Sequence, residues 1–530
     1  MVRPAADNRP SPFRWLVPAL AALATGLMQA WRVMVLPDAA RFNFDAAEYA
    51  LAGRAWLETG RLVTPFVHPA TVGGSPGPPW PLLAGHPLVP ALDALAFAVF
   101  GVHPDATLVP ALLAFVLATV AVAQLTWGFT RSQAVAIAAG LVFACTPWAL
   151  GFATIGLSEM PFAALLALAF ALLWTMPQRP RPFALGLVLG LAHLTRPVLV
   201  PMLPALLLGV VLLAPPSRRL ATLFRTLLVF VPLASLTLLY KVLASHGAAH
   251  EPSGYLLLNG AAPEFVVSRL NRMLTPPDAM TWLASHPDLF VAKVLRNLRS
   301  LLYGLWTQSG RWPFPLALVA LVYALRSATP HVRAFGFTVL GSALLLLGLD
   351  AATVADPRLL FPLLPLLIAL ALAALTRLAE VLGGGRRLVV AIVVALAVLV
   401  TLRPTVSAWR NPDTRGLRER DWRSIGLAVR GMLPEHAVIA SDAAPWLAWS
   451  TGRPATLVPL TPADLATMPA NLAPDALVIT DEWLVHRPGE EAWRALLESG
   501  TPPEGWILTG RARTDRLRVA VFLRRDRPRL

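Results

Sequence analysis

Eight ionisable residues stand beside apolar runs in a chain where only 14% of residues are charged: Asp45, Glu48, His86, Glu159, Arg196, Asp350, Asp356 and Arg358. Charge next to hydrocarbon is costly, so such groups mark a functional site by default. The carboxylates suit acid or base work, and the arginines suit a phosphate. Asp45 and Glu48 open an interfacial helix that starts near Asp45, and His86 stands before Pro87. Ser158 reads as a helix N-cap, with Glu159 and Pro161 in the first turn. Arg196 and Arg358 lie at the outer ends of apolar runs, against the positive-inside trend, so each needs an anionic partner. That partner is a lipid phosphate or a neighbouring acid, such as Asp356 for Arg358. His246 and His250 make a poor metal pair, because Gly247 and Pro252 spoil the helix that would align them.

These residues must be positioned by membrane helices. A chain of 530 residues with 56% hydrophobic composition and a mean hydropathy of +0.61 is a multi-pass membrane protein. The net charge of +15 is almost all arginine, much of it in short loops between apolar runs, which orients helices better than it reads a nucleic acid. Lysine occurs only as Lys241 and Lys293. The single cysteine, Cys145, excludes a disulfide within the chain and a thiolate metal site.

The first apolar run, Trp15 to Leu36, is 22 residues long and follows Arg3, Arg9 and Arg14. It is long enough to span a ~30 Å core and reads as a retained helix with a cytoplasmic N-terminus. If residues 86–100 lie along the outer interface, Arg131, Arg179 and Arg181, Arg218 and Arg219, Arg326 and Arg333, and Arg386 and Arg387 all face the cytoplasm. The remaining spans are then Thr107–Phe129, Gln133–Leu150, Glu159–Met176, Phe183–Thr195, Val198–Leu213, Leu220–Leu243, Trp312–Leu325, Phe335–Leu349, Leu359–Leu375 and Leu388–Leu402. The expectation is about eleven spans with the N-terminus inside and the C-terminus outside.

Two outer segments, 37–106 and 245–310, interrupt the spans; the second carries a basic amphipathic stretch from Lys293 to Arg299 that reads as interfacial. From Arg403 onward short apolar strands such as Ala437–Ala440 and Ala476–Ile479 alternate with helical stretches, Asp421–Met432 and Glu490–Glu498. A membrane domain over 1–403 and a small extracytoplasmic α/β domain over 404–530 follow.

Phe44-Asp45-Ala-Ala-Glu48-Tyr49 with Gly53 and Gly60, then Gly85-His86-Pro87-Leu88 running to Phe100-Gly101, resembles the first outer loop of the GT-C superfamily of membrane glycosyltransferases. The likeness is to family 39-like enzymes, which include protein mannosyltransferases and the aminoarabinose transferase of lipid A. It continues at Gly156-Leu-Ser158-Glu159-Met-Pro161, at Leu194-Thr195-Arg196-Pro197 and at Asp356-Pro-Arg358-Leu-Leu-Phe361-Pro362. The tail, with Val438 to Asp442 and Thr451-Gly452-Arg453-Pro454, looks like the extracytoplasmic domain of its bacterial members. Leu359 stands where the family often has tyrosine, and Ala46 where an acid often follows the first one.

The resemblance implies transfer of a sugar from a polyprenyl-phosphate-linked donor to an envelope acceptor, a glycolipid, polysaccharide or protein, at the outer face of a bacterial cytoplasmic (inner) membrane. It assigns catalysis to Asp45 and Glu159, and donor-phosphate binding to His86, Arg196 and Arg358; Glu48 joins the catalytic set as a second carboxylate beside the membrane. No cofactor is required, although a divalent cation (Mg or Mn) held by Asp45 and Glu159 would be compatible. The competing class is a transporter or flippase for a lipid-linked anion. Against it, the charges cluster at one face and no paired half-repeats appear.

Overall fold

The computed structural model describes residues 12–35, 43–71, 77–82, 86–244, 252–381, 395, 419–482, 484, 487 and 489–525. Sixteen helices run from the N-terminal side to residue 381 among these: α1 Phe13–Val35, α2 Phe44–Thr59, α3 Leu88–Phe100, α4 Leu108–Thr130, α5 Gln133–Cys145, α6 Pro147–Ala153, α7 Glu159–Thr175, α8 Pro182–Thr195, α9 Leu199–Leu213, α10 Arg219–Ala244, α11 Val267–Leu270, α12 Ala279–Ser285, α13 Pro287–Gln308, α14 Pro313–Leu325, α15 Pro330–Ala352 and α16 Leu364–Val381.

Among the described residues, five helical segments are long and apolar enough to cross a bilayer, those containing α1, α4, α10, α15 and α16. A sixth is the pair α5 and α6, bent by 65°. The uninterrupted span expected from Gln133 to Leu150 therefore breaks at Thr146, where Pro147 has no N–H to continue the ladder. The expected span Leu388–Leu402 and the residues His246 and His250 lie outside the described residues.

α3, α7, α8, α9 and α14 are apolar but only 10–17 residues long. At ~1.5 Å per residue the 14 residues of α8 fall well short of the ~30 Å core. Burial separates the packed helices from those on the outside of the bundle. α7 is buried along most of its length, whereas α10 leaves Leu220, Phe224, Leu228, Leu236 and Leu239 exposed, as a lipid-facing helix does.

α2 and α3 pack together, and Gly53 permits their approach. A Cβ at Gly53 would lie 2.9 Å from both the Asp93 Cβ and the Pro90 carbonyl oxygen. The basic stretch of α13 is less lipid-facing than expected: Arg296 and Arg299 are exposed, but Lys293 is fully buried. Its ammonium donates to the Leu257 and Ala352 carbonyls, both at 2.7 Å, so it caps the end of α15.

The C-terminal region builds a six-stranded sheet in the order β2-β5-β4-β6-β8-β7. Its strands are β2 Phe66–Val67, β4 Ile439–Ser441, β5 Ala455–Leu457, β6 Ala476–Thr480, β7 Trp506–Arg513 and β8 Arg518–Arg524; β1 Val63–Thr64 pairs separately with β3 Trp80–Pro81. β2, β5, β4 and β6 are parallel, and β8 and β7 add an antiparallel edge. Period-2 alternation covers both faces. Ala476, Val478, Val519 and Val521 face the helix Glu419–Met432, while Leu477, Ile479, Ala520 and Phe522 pack with Trp493 and Leu497.

β2 comes from the first outer segment, so the sheet is completed by residues nearly 400 positions upstream of its other strands. A second tie joins the segment before α12 to the sheet. Buried Arg272 donates to the Val458 and Pro459 carbonyls at 3.0 and 2.7 Å and forms a two-pronged pair with Glu490 at 2.8 and 3.1 Å.

Breaking a buried pair on one side costs ~3–5 kcal/mol. Glu490→Gln is expected to lower the unfolding temperature and open residues 259–285 to limited proteolysis; an unchanged digestion pattern would show that this tie does not hold the segment.

Candidate active site

The site forms where four elements end together. Asn43 caps α2, its side chain accepting from the Ala46 N–H at 2.8 Å, which places Asp45 in the first turn. Arg358 sits in the 3-10 turn Pro357–Leu363, whose cap Asp356 accepts from the Arg358 N–H at 3.0 Å. Glu159 is the first residue of α7, and Arg196 is the cap at the C-terminal end of α8, where Pro197 prevents continuation.

The charges alternate. Arg358 Nη1 lies 2.7 Å from Asp45 Oδ2, and its Nε lies 2.9 Å from Asp356 Oδ2 and 3.8 Å from Glu159 Oε1. Arg196 Nη1 lies 2.9 Å from Glu159 Oε1. Glu159 is 3% exposed, against 37% for both Asp45 and Arg358, so the network runs from the protein interior to an accessible rim. Glu159 Oε2 and Asp350 Oδ2 are buried without a hydrogen-bond partner among the described residues.

Ser158 does not act as the expected cap, since its backbone is already helical and its side chain makes no cap bond. It instead accepts from the Tyr49 hydroxyl at 3.3 Å, which links α2 to the start of α7. Burial pushes the Tyr49 phenol up to about 12, so it stays a neutral donor.

Asp45, Glu159, Arg196 and Arg358 thus meet in one network, but Glu48 and His86 stand beside it. Glu48 Oε2 pairs with His68 Nε2 at 3.5 Å. Next to them Tyr255 donates to Asn271 at 2.7 Å, and burial with the Glu48 charge pushes its phenol upward. His86 lies edge-on to His193, ring centres 6.3 Å apart. Burial, aided by Lys241, His193 and Arg196, pushes the His86 imidazole down to about 3. It is a neutral group, and its Nδ1 has no hydrogen-bond partner among the described residues. Sequence reasoning missed His68 and His193: neither belongs to a motif, and only folding brings them beside Glu48 and His86.

No three His, Cys, Asp or Glu side chains converge on a common point among the described residues. The positive charge between Asp45 and Glu159 is the Arg358 guanidinium, so in this arrangement the two carboxylates do not fit a shared divalent cation.

Known proteins resemble this chain in fold. Residues 81–244 match the family model described as dolichyl-phosphate-mannose-protein mannosyltransferase. ArnT from Cupriavidus metallidurans, solved bound to undecaprenyl phosphate, is 15% identical with a TM-score of 0.59, the alignment covering 96% of this chain and 98% of that one. The oligosaccharyltransferase of Archaeoglobus fulgidus, solved with Zn and sulfate, is 13% identical with a TM-score of 0.58, covering 88% of this chain and 67% of that one. The same archaeal enzyme, AglB, with an inhibitory peptide and a dolichol-phosphate gives 14% identity and 0.56, covering 88% and 69%. No curated protein matches the sequence significantly. The chain has the GT-C fold that these membrane glycosyltransferases share.

The folded state holds His86 neutral while the unfolded chain titrates near 6.5. Below pH 6.5 the unfolded chain takes up a proton that the folded chain refuses, so stability falls as pH drops toward 3. Thermal melts at pH 7.5 and 5 are expected to show a smaller acid loss for His86→Gln than for the parent; equal losses would mean that His86 is not held neutral.

Proposed function

We propose that this protein transfers a sugar from a polyprenyl-phosphate donor to a hydroxyl of an envelope acceptor, at the outer face of a bacterial cytoplasmic membrane, by one inverting displacement. The observation that carries the reading is the meeting of Asp45, Glu159, Arg196 and Arg358 at the ends of four elements. A carboxylate on an accessible rim, backed by two arginines, is what acceptor activation beside a phosphate leaving group requires.

In the proposed step the acceptor oxygen bonds to the anomeric carbon while the bond from that carbon to the phosphate oxygen breaks. The acceptor proton passes to Asp45, and the electron pair leaves with the lipid phosphate. Arg196 and Arg358 neutralise that phosphate, and His86 contributes a neutral imidazole contact. To reach the donor, the Arg358 guanidinium turns from Asp45 toward the phosphate, which frees the carboxylate to act as base. Glu159 holds the two arginines in register from the buried side, and Glu48 orients the acceptor through His68.

The sugar is a hexose or a pentose in this reading, and a divalent ion has no assigned step. The C-terminal sheet, on the same side of the membrane as the site, braces the first outer segment through β2.

Native mass spectrometry in mild detergent tests the reading. Wild type and Asp45→Asn are expected to carry a polyprenyl-phosphate lipid that Arg196→Ala and Arg358→Ala lose. Asp45→Asn is also expected to lower turnover at least ~10²-fold, the lower range for a general base. Lipid retention by both arginine variants would contradict the site and favour a transporter whose substrate binds elsewhere.

A further inference from the structure

A second cleft, of about 270 Å3, opens where the C-terminal region meets the first outer segment. Its walls include Arg54 of α2, His103 of the turn before α4, Trp422 and Arg423 of the helix Glu419–Met432, and Trp446 and Trp449 of the helix Ala444–Thr451. Three indoles from two helices line so small a space. Trp422 and Trp446 stack at 5.2 Å with planes 10° apart. Trp422 is buried, while Trp446 and Trp449 are partly exposed.

Cations border these rings. The Arg54 guanidinium lies 5.8 Å from the centre of the Trp449 ring and is steadied by Glu58 at 2.7 Å. Arg423, exposed, also lines the cleft. His103 is engaged by Asp105 at 3.3 Å, and Arg54 and Arg423 are the arginines among the described lining residues. Flat indole faces hold the C–H face of a sugar ring, and arginine forks hold a carboxylate or phosphate. The volume is below the roughly 300–1,000 Å3 of drug-sized pockets, so the cleft suits one sugar unit.

Its position ties it to the first site. Trp446 packs edge-on against Phe44 at 5.6 Å, and Phe44 precedes Asp45 in the first turn of α2. We propose that this cleft is a saccharide subsite for a sugar ring bearing an anionic group, and that it seats part of the acceptor. The acceptor role rests on the transferase reading, whereas the binding does not.

Saturation-transfer NMR on the full chain in lipid nanodiscs tests it with glucose 6-phosphate, glucuronic acid, glucose and inorganic phosphate as probes. At least one charged sugar is expected to bind at least ~10-fold tighter than glucose and than phosphate, and to lose ~10-fold in affinity with Arg423→Gln or Arg54→Gln, about one charged hydrogen bond. Phosphate-selective or carboxylate-selective binding distinguishes the two anions. Absent binding, equal binding of glucose, phosphate alone matching glucose 6-phosphate, or unchanged affinity in both arginine variants would each overturn the proposal. Arg423 is exposed, so its variant tests binding without disturbing the core. Mass spectrometry of the Arg423→Gln protein separates the two readings: lipid retained with sugar binding lost is expected, and sugar binding in a wild type that carries no lipid would keep the subsite but remove its acceptor role.

Discussion

A guanidinium held among carboxylates at the edge of a membrane bundle is the constraint on which this structure turns. Arg358 reaches Asp45, Asp356 and Glu159, and Arg196 reaches Glu159 from the other side. At the buried end, where Glu159 meets Arg196, removing one member leaves its partner uncompensated. The alternation therefore fixes where α2, the turn before α16, α7 and α8 end relative to one another. It also leaves both arginines already paired with carboxylates.

The elements around it hold α2 at that network. Gly53 lets α3 pack against α2 at backbone distance, Tyr49 reaches across to Ser158, and β2 anchors the following loop in the C-terminal sheet. Arg272 and Glu490 pin the second outer segment to the same sheet. The C-terminal region is thus not an appendage joined only by a linker, since Phe66–Val67 supplies one of its strands.

Much of this was legible in the sequence, for physical reasons. Asp45, Glu159, Arg196 and Arg358 each lie at the boundary of an apolar run, where charge is conspicuous, and Asp356 could be named as the Arg358 neighbour because it is two residues away. The helices of the bundle followed from apolar length. Long-range pairings left no such trace. β2 is two residues long, and the contacts of Glu48 with His68 and of His86 with His193 join segments without a shared pattern. Lys293 looked lipid-facing because its helix is basic and amphipathic, and only the end of α15 reveals that its ammonium is a cap. Ser158 had the right residue type for an N-cap but the wrong backbone.

The central claim is that the arginines of this network exchange their carboxylates for a lipid phosphate. A cryo-EM structure of the protein with added undecaprenyl phosphate tests it most directly. The account predicts the phosphate within hydrogen-bond reach of Arg196 and Arg358, with the contact between Arg358 and Asp45 opened from its 2.7 Å. A lipid phosphate bound elsewhere, with that contact intact, would contradict it.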